Sequence, residues 1–170
     1  HCWGDHGRGQ RGTTVSPGPA LVISNVKSIA LGGEHSCAIS NADLLHCWGA
    51  NSHGQLGDDS QSDRMTPRPI GTARWAAVAL GLRHTCGLML NGSLWCWGDN
   101  GRGQLGDGTR VLQDIPTQIG SETEWRSVSA GGRETCAIKN DNTLWCWGAN
   151  GSGQLGDGLA WSPTFVRIAP

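Results

Sequence analysis

Tyrosine is absent from this chain and phenylalanine occurs once, while tryptophan occurs nine times. No basic run interrupts a net charge of −1 over 170 residues, which argues against a large phosphate-binding footprint and hence against nucleic acid as a partner. No stretch approaches 18 consecutive apolar residues, so no membrane-spanning helix is expected. Apolar residues nowhere hold a 3.6-residue period over a helix-sized window, which disfavours helix throughout. Enzyme signatures are missing too: there is no Gly-x-Ser-x-Gly, no His-Glu-x-x-His and no Gly-rich loop ending in Lys-Ser or Lys-Thr. No catalytic residue and no cofactor is expected. The chain starts at His1, so the lack of a visible signal peptide sets no limit on targeting.

What is present is repetition. Cys-Trp-Gly occurs at Cys2, Cys47, Cys96 and Cys146, at spacings of 45, 49 and 50 residues. Three copies continue into closely similar runs, Asn51 to Asp58, Asn100 to Asp107 and Asn150 to Asp157. A period of this length marks one supersecondary unit stacked on copies of itself. Eight of the nine Trp sit at repeat positions. The chain divides into a partial repeat over 1–22 and full repeats over 23–71, 72–121 and 122–170.

Within one unit, short strands are expected over Trp75 to Gly81, His84 to Met89 and Ser93 to Gly98, with a weak fourth over Asp114 to Ile119 around Pro116. Strands rich in β-branched and aromatic residues, divided by Gly, Asn and Asp, indicate all-β structure. The turn between the second and third strands can be read closely. Its third residue is Asp43, Gly92 or Asn142, types that tolerate left-handed backbone, as a three-residue hairpin loop with a bulge requires. That loop places Cys37 opposite Cys47, Cys86 opposite Cys96 and Cys136 opposite Cys146. A two-residue loop would put each pair on opposite faces.

At a non-hydrogen-bonded position the Cα atoms lie roughly 4.5 Å apart, within disulfide range. Three disulfides, each stabilising by roughly 2–3 kcal/mol, are the leading reading for an extracellular protein. Buried free thiols in a reducing compartment are the alternative. Zinc is a third: His35 and His46 flank the first pair, but Glu134 and Trp145 take the matching places in the third, and a tetrahedral site needs four ligands. No metal is expected there, nor at Asp58, Asp59 and Asp63 or at Asp107 and Asp157, which read as solvated turns without EF-hand spacing. Beside the cysteines, small residues oppose large ones: Ala38 and His46, Gly87 and Trp95, Ala137 and Trp145. The other face carries Ile39 with Leu45, Leu88 with Leu94 and Ile138 with Leu144. A sheet apolar on both faces fits a blade stacked in a propeller.

Trp75 and Val78, Gly81, His84-Thr85, Leu94, Trp97-Gly98 and Asn100 through Thr109 together resemble the regulator of chromosome condensation repeat. The resemblance implies a seven-bladed β-propeller of four-stranded blades, of which this chain would be a segment. The paired cysteines resemble a secreted, mainly bacterial branch of that family. Departures include Arg11 for the Leu of Gln-Leu-Gly, Val26 for the opening Trp, and Glu134 for the recurrent His35 and His84. Cys2 lacks an upstream partner, so the chain is expected to begin within a blade.

Family functions differ widely, and fold does not choose among them. Nucleotide exchange on a small GTPase is disfavoured, because it belongs to a reducing compartment. The Trp are expected to pack between blades, and His35 and His84 to hydrogen-bond neighbouring strands. The expectation is therefore a non-enzymatic module, secreted or at the cell surface or in a periplasm, that binds a protein or glycan through loops on one face. A structural subunit assembling with further copies of itself is the alternative. The loop after Gln-Leu-Gly-Asp differs most between copies, and Trp161, Arg110 and Arg64 in and beside it are the candidate contacts. Asn91 and Asn150 head glycosylation sequons, which matter only in a eukaryotic secretory host.

Overall fold

A computed structural model describes residues 1–2, 4–5, 7–13, 21–156 and 161–168, with only the backbone described for 161–166. Eleven antiparallel strands and no helix are found among the described residues: β1 (Val26–Leu31), β2 (His35–Ser40), β3 (Leu44–Gly49), β4 (Arg64–Leu80), β5 (His84–Met89), β6 (Leu94–Gly98), β7 (Gln113–Gln118), β8 (Trp125–Ala130), β9 (Glu134–Lys139), β10 (Leu144–Ala149) and β11 (Trp161–Ile168). They form an arc of three four-stranded blades. The first holds β1, β2, β3 and the start of β4. The second holds the end of β4 with β5, β6 and β7, and the third holds β8 to β11.

Two strands expected to be separate are one. β4 pairs with β3 from Arg64 to Arg74 and with β5 from Trp75 to Leu80, so the boundary at 71/72 falls inside a continuous strand. Pro67 and Pro69 lie in its first half, which has a partner on one side only, where a missing N–H is tolerated.

The hairpin register is the expected one. Asp43, Gly92 and Asn142 have φ of 61°, 80° and 67°, and their amides bond the carbonyls of Ser40, Met89 and Lys139 at 2.9, 2.9 and 3.0 Å. Cys37 then faces Cys47, Cys86 faces Cys96 and Cys136 faces Cys146, each pair with Cα atoms 4.1 Å apart and joined by a disulfide. Cys2 forms no disulfide.

A bulge recurs near the start of each first strand, at Val26/Ser28, Trp75/Ala77 and Trp125/Ser127. In an unbroken strand, residues three apart point to opposite faces. The extra residue brings Trp75 and Val78, and likewise Trp125 and Val128, onto one face. There Trp75 packs against Ile39, Leu45 and the first disulfide, while Trp125 packs against Leu88, Leu94 and the second. The two cores therefore lie between blades, one at each joint. Burying an indole of this size removes 150–250 Å² from water, roughly 4–6 kcal/mol of gross stabilisation each.

Candidate functional site

The residues that recur in every copy are consumed in joining blades. The loops at Gln10, Gln55 and Gln104 each offer the glutamine main-chain carbonyl to the next blade. Gln55 O accepts from Thr85 Oγ1 at 2.8 Å and Trp97 Nε1 at 3.0 Å. Gln104 O accepts from Thr135 Oγ1 at 2.8 Å and Trp147 Nε1 at 2.9 Å. Gln10 O accepts from Ser36 Oγ at 3.0 Å and Trp48 Nε1 at 2.8 Å. Gly57 is required at this contact: its φ is +76°, and a Cβ there would sit 2.7 Å from Trp97 Nε1. The loop itself is held by Asn51, whose amide oxygen accepts the Leu56 amide at 2.9 Å and whose nitrogen donates to Asp58 at 2.9 Å.

The recurrent histidines belong to the same joint. His35 Nε2 lies 2.9 Å from Thr85 Oγ1, and His84 Nε2 lies 2.9 Å from Thr135 Oγ1. Since each threonine hydroxyl gives its proton to a glutamine carbonyl, each histidine must donate from Nε2. Burial pushes the His35 pKa down to about 3, aided by repulsion from His84. Burial pushes His84 down to about 4, against the attraction of Asp99. Both are neutral structural donors. Their Nδ1 atoms are buried without a partner, so a proton there would have no acceptor. Glu134, in the third copy, folds back on its own turn and accepts from the amides of Gly132 at 3.2 Å and Arg133 at 2.9 Å.

The aspartates read as solvated turns are more closely engaged. Asp58 binds Arg64 Nε at 2.6 Å and the Ser60 hydroxyl at 2.7 Å. Burial alone would raise its pKa, but Ser60, Arg64 and Asn51 outweigh that and hold it below the ordinary carboxylate range. Asp63 accepts the Asn51 amide and pairs with Arg8 at 3.4 Å. Asp107 serves Asn100 and Thr109. Asp157 lies outside the described residues.

What remains is one face, where the turn after each first strand meets the Gln-Leu-Gly loop of the preceding copy. Along the arc the two equivalent positions are occupied by Arg8 and Glu34, then by His53 and Arg83 (Nε2 to Nη1, 3.5 Å), then by Arg102 and Arg133. The charge thus rises from balanced to doubly positive. At the last joint a cleft of about 630 Å³ opens, lined by Arg102, Arg110, Arg133, Leu82, Glu134 and Gln154 among others. Arg110, a candidate from sequence, lines this cleft; Arg64 does not, being held by Asp58 in the first loop. Trp161 opens β11 opposite Ala149, and its side chain lies outside the described residues. Arg102 and Arg133 were not singled out from sequence. Their signal was available: they stand where copies differ, but inside the repeated motif rather than after it.

Models of the regulator of chromosome condensation (RCC1) repeat match residues 43–88 and 91–138, and a second model of that repeat matches 26–55, 75–104 and 125–154. The chain belongs to the RCC1 repeat family. Among curated RCC1-repeat relatives, the probable E3 ubiquitin-protein ligase HERC4 of Rattus norvegicus is 31% identical over 81 residues, 43% of this chain and 8% of that protein. Prp20p of Saccharomyces cerevisiae, described with its binding to Gsp1p and histones, shares the fold with a TM-score of 0.88 at 22% identity, over 99% of this chain and 45% of that one. The ectodomain of the Physcomitrella patens receptor kinase CR4 matches with a TM-score of 0.52 at 25% identity, over 79% of this chain and 32% of that one. The RCC1 repeats here span less than a sixth of the length of the curated relatives they match.

Proposed function

We propose that this chain is a non-enzymatic, extracellular interaction module that engages a protein partner through the loops and turns of the arginine-bearing face. The carrying observation is a division of labour. Recurrent His, Thr, Trp, Gln and Asn side chains are spent on the joints, while residues that differ between copies gather on one face of a rigid frame. Polar groups presented by loops on a fixed scaffold are the usual composition of a recognition surface. Three buried or nearly buried disulfides support the extracellular reading, since such bonds persist in oxidising compartments. The likeness to a receptor ectodomain supports it as well.

Two measurements test the two halves. Alkylation of the native protein followed by intact mass should label Cys2 alone; modification of all seven cysteines in freshly isolated protein would sink the extracellular half. For the binding half, a photo-reactive side chain is placed at Arg110, at Arg64 and, on the opposite edge of the blades, at Asp141. Cross-links to one protein from the first two positions and not the third are expected. Equal yield from Asp141 would remove the assignment of the binding face.

A further inference from the structure

We infer that the cleft between the second and third blades binds an acidic peptide segment of the partner, with an aliphatic residue set among its carboxylates. This rests on the interaction-module reading above and names the ligand chemistry of one part of that face. Arg102 and Arg133 are exposed, and neither guanidinium meets a carboxylate among the described residues. At the first loop the situation is reversed, since Arg8 pairs with Asp63 and Arg64 with Asp58. The carboxylates closest in sequence to the cleft arginines are each engaged by their own loops, Glu134 while lining the cleft itself. Glu134 is directed at the amides of its own turn, Asp99 accepts the Gly101 amide, and Asp107 holds Asn100 and Thr109. Arg110 also lines the wall, where it makes an interaction of its own.

The Arg102 and Arg133 guanidinium groups favour planar, bidentate oxyanions, which carboxylates supply. The apolar wall decides between a peptide and a sulfated sugar. Leu82 is 40% exposed and lines the cleft beside Ala149. An aliphatic side chain would cover it, whereas a sulfated sugar has no comparable group. Acidic side chains flanking a leucine match both features.

The test uses the intact chain and a labelled peptide, Ac-Asp-Glu-Leu-Asp-Glu-amide, followed by fluorescence anisotropy. Controls are its Asn/Gln analogue, its Leu-to-Ser analogue and a heparin hexasaccharide. Arg102→Ala and Arg133→Ala should each weaken peptide binding roughly threefold to tenfold. Leu82→Ser should weaken it roughly threefold, with unchanged thermal melts showing that each variant is folded. Raising salt from 50 to 300 mM should weaken it further. Equal binding of the Asn/Gln analogue, or indifference to both arginine substitutions, overturns the inference. So does tighter binding of the hexasaccharide that ignores Leu82, which would make the cleft a glycan site. If the peptide fails while cross-links from Arg110 and Arg64 persist, only this inference falls and the interaction face stands.

Discussion

Acid should weaken this fold well before its carboxylates titrate, through His35 and His84. In the unfolded chain each takes up a proton as pH falls below 6.5, while burial holds the folded values at about 3 and about 4. Between those limits the unfolded state binds more protons, so stability falls with falling pH; it is fully present above 6.5 and levels off only below the folded values. Near pH 5 the loss approaches about 1.4 kcal/mol per pH unit for each histidine. From pH 7.5 to pH 5 this gives about 2 kcal/mol apiece, or roughly 4 kcal/mol together. The assay is urea unfolding followed by tryptophan fluorescence, with disulfides intact, at half-unit steps across that range. A double variant, His35→Gln with His84→Gln, keeps a side-chain N–H for each threonine but cannot titrate. Its stability should lose roughly 4 kcal/mol less than the parent between pH 7.5 and 5. Parallel curves for parent and double variant would refute the reasoning, because they would mean that these imidazoles accept protons in the folded state.

Gly57→Ala places a methyl group against Trp97 Nε1 and forces a left-handed residue, so it should separate Trp97 from Gln55 O and cost about 1–3 kcal/mol in the same assay. A change below a few tenths of a kcal/mol would show that the loop relaxes freely. Lys139 is buried with its Nζ 5.0 Å from the centre of the Trp125 ring, 4.8 Å from that of Trp145 and 2.6 Å from Glu122. Lys139→Met keeps the packing stem and should cost about 1–2 kcal/mol, while Lys139→Ala should cost about 2–4 kcal/mol. If the two were equal, charge rather than packing would account for the position.

Much of a single blade was legible because local rules fix it. A residue that tolerates left-handed backbone at Asp43, Gly92 and Asn142 determines the turn, the turn determines the register, and the register pairs the cysteines. The repeated bulge was not legible as such. The Trp75 and Val78 spacing carried it, but an odd spacing in a strand is ambiguous until the partner strand is known. Continuity of β4 was not legible, because the fourth strand of one unit and the first of the next were expected as separate elements; Pro67 and Pro69 are tolerated at a one-sided strand. The cleft was least visible. Arg102 and Arg133 come from consecutive copies and line one cleft only because the loop of one blade abuts the turn of the next, a juxtaposition that sequence spacing within one repeat does not express.

The acceptor at every joint is a main-chain carbonyl, and this bears on how such a surface changes over time. In the first copy Arg11 stands where the others have leucine, yet Gln10 O still receives Ser36 and Trp48 at 3.0 and 2.8 Å. A joint that reads the backbone tolerates a change of side chain directly after the glutamine, although not at the glycine that follows. Mutation can therefore explore the recognition loops while assembly of the blades stays under separate selection, which makes this architecture an evolvable carrier of new specificities.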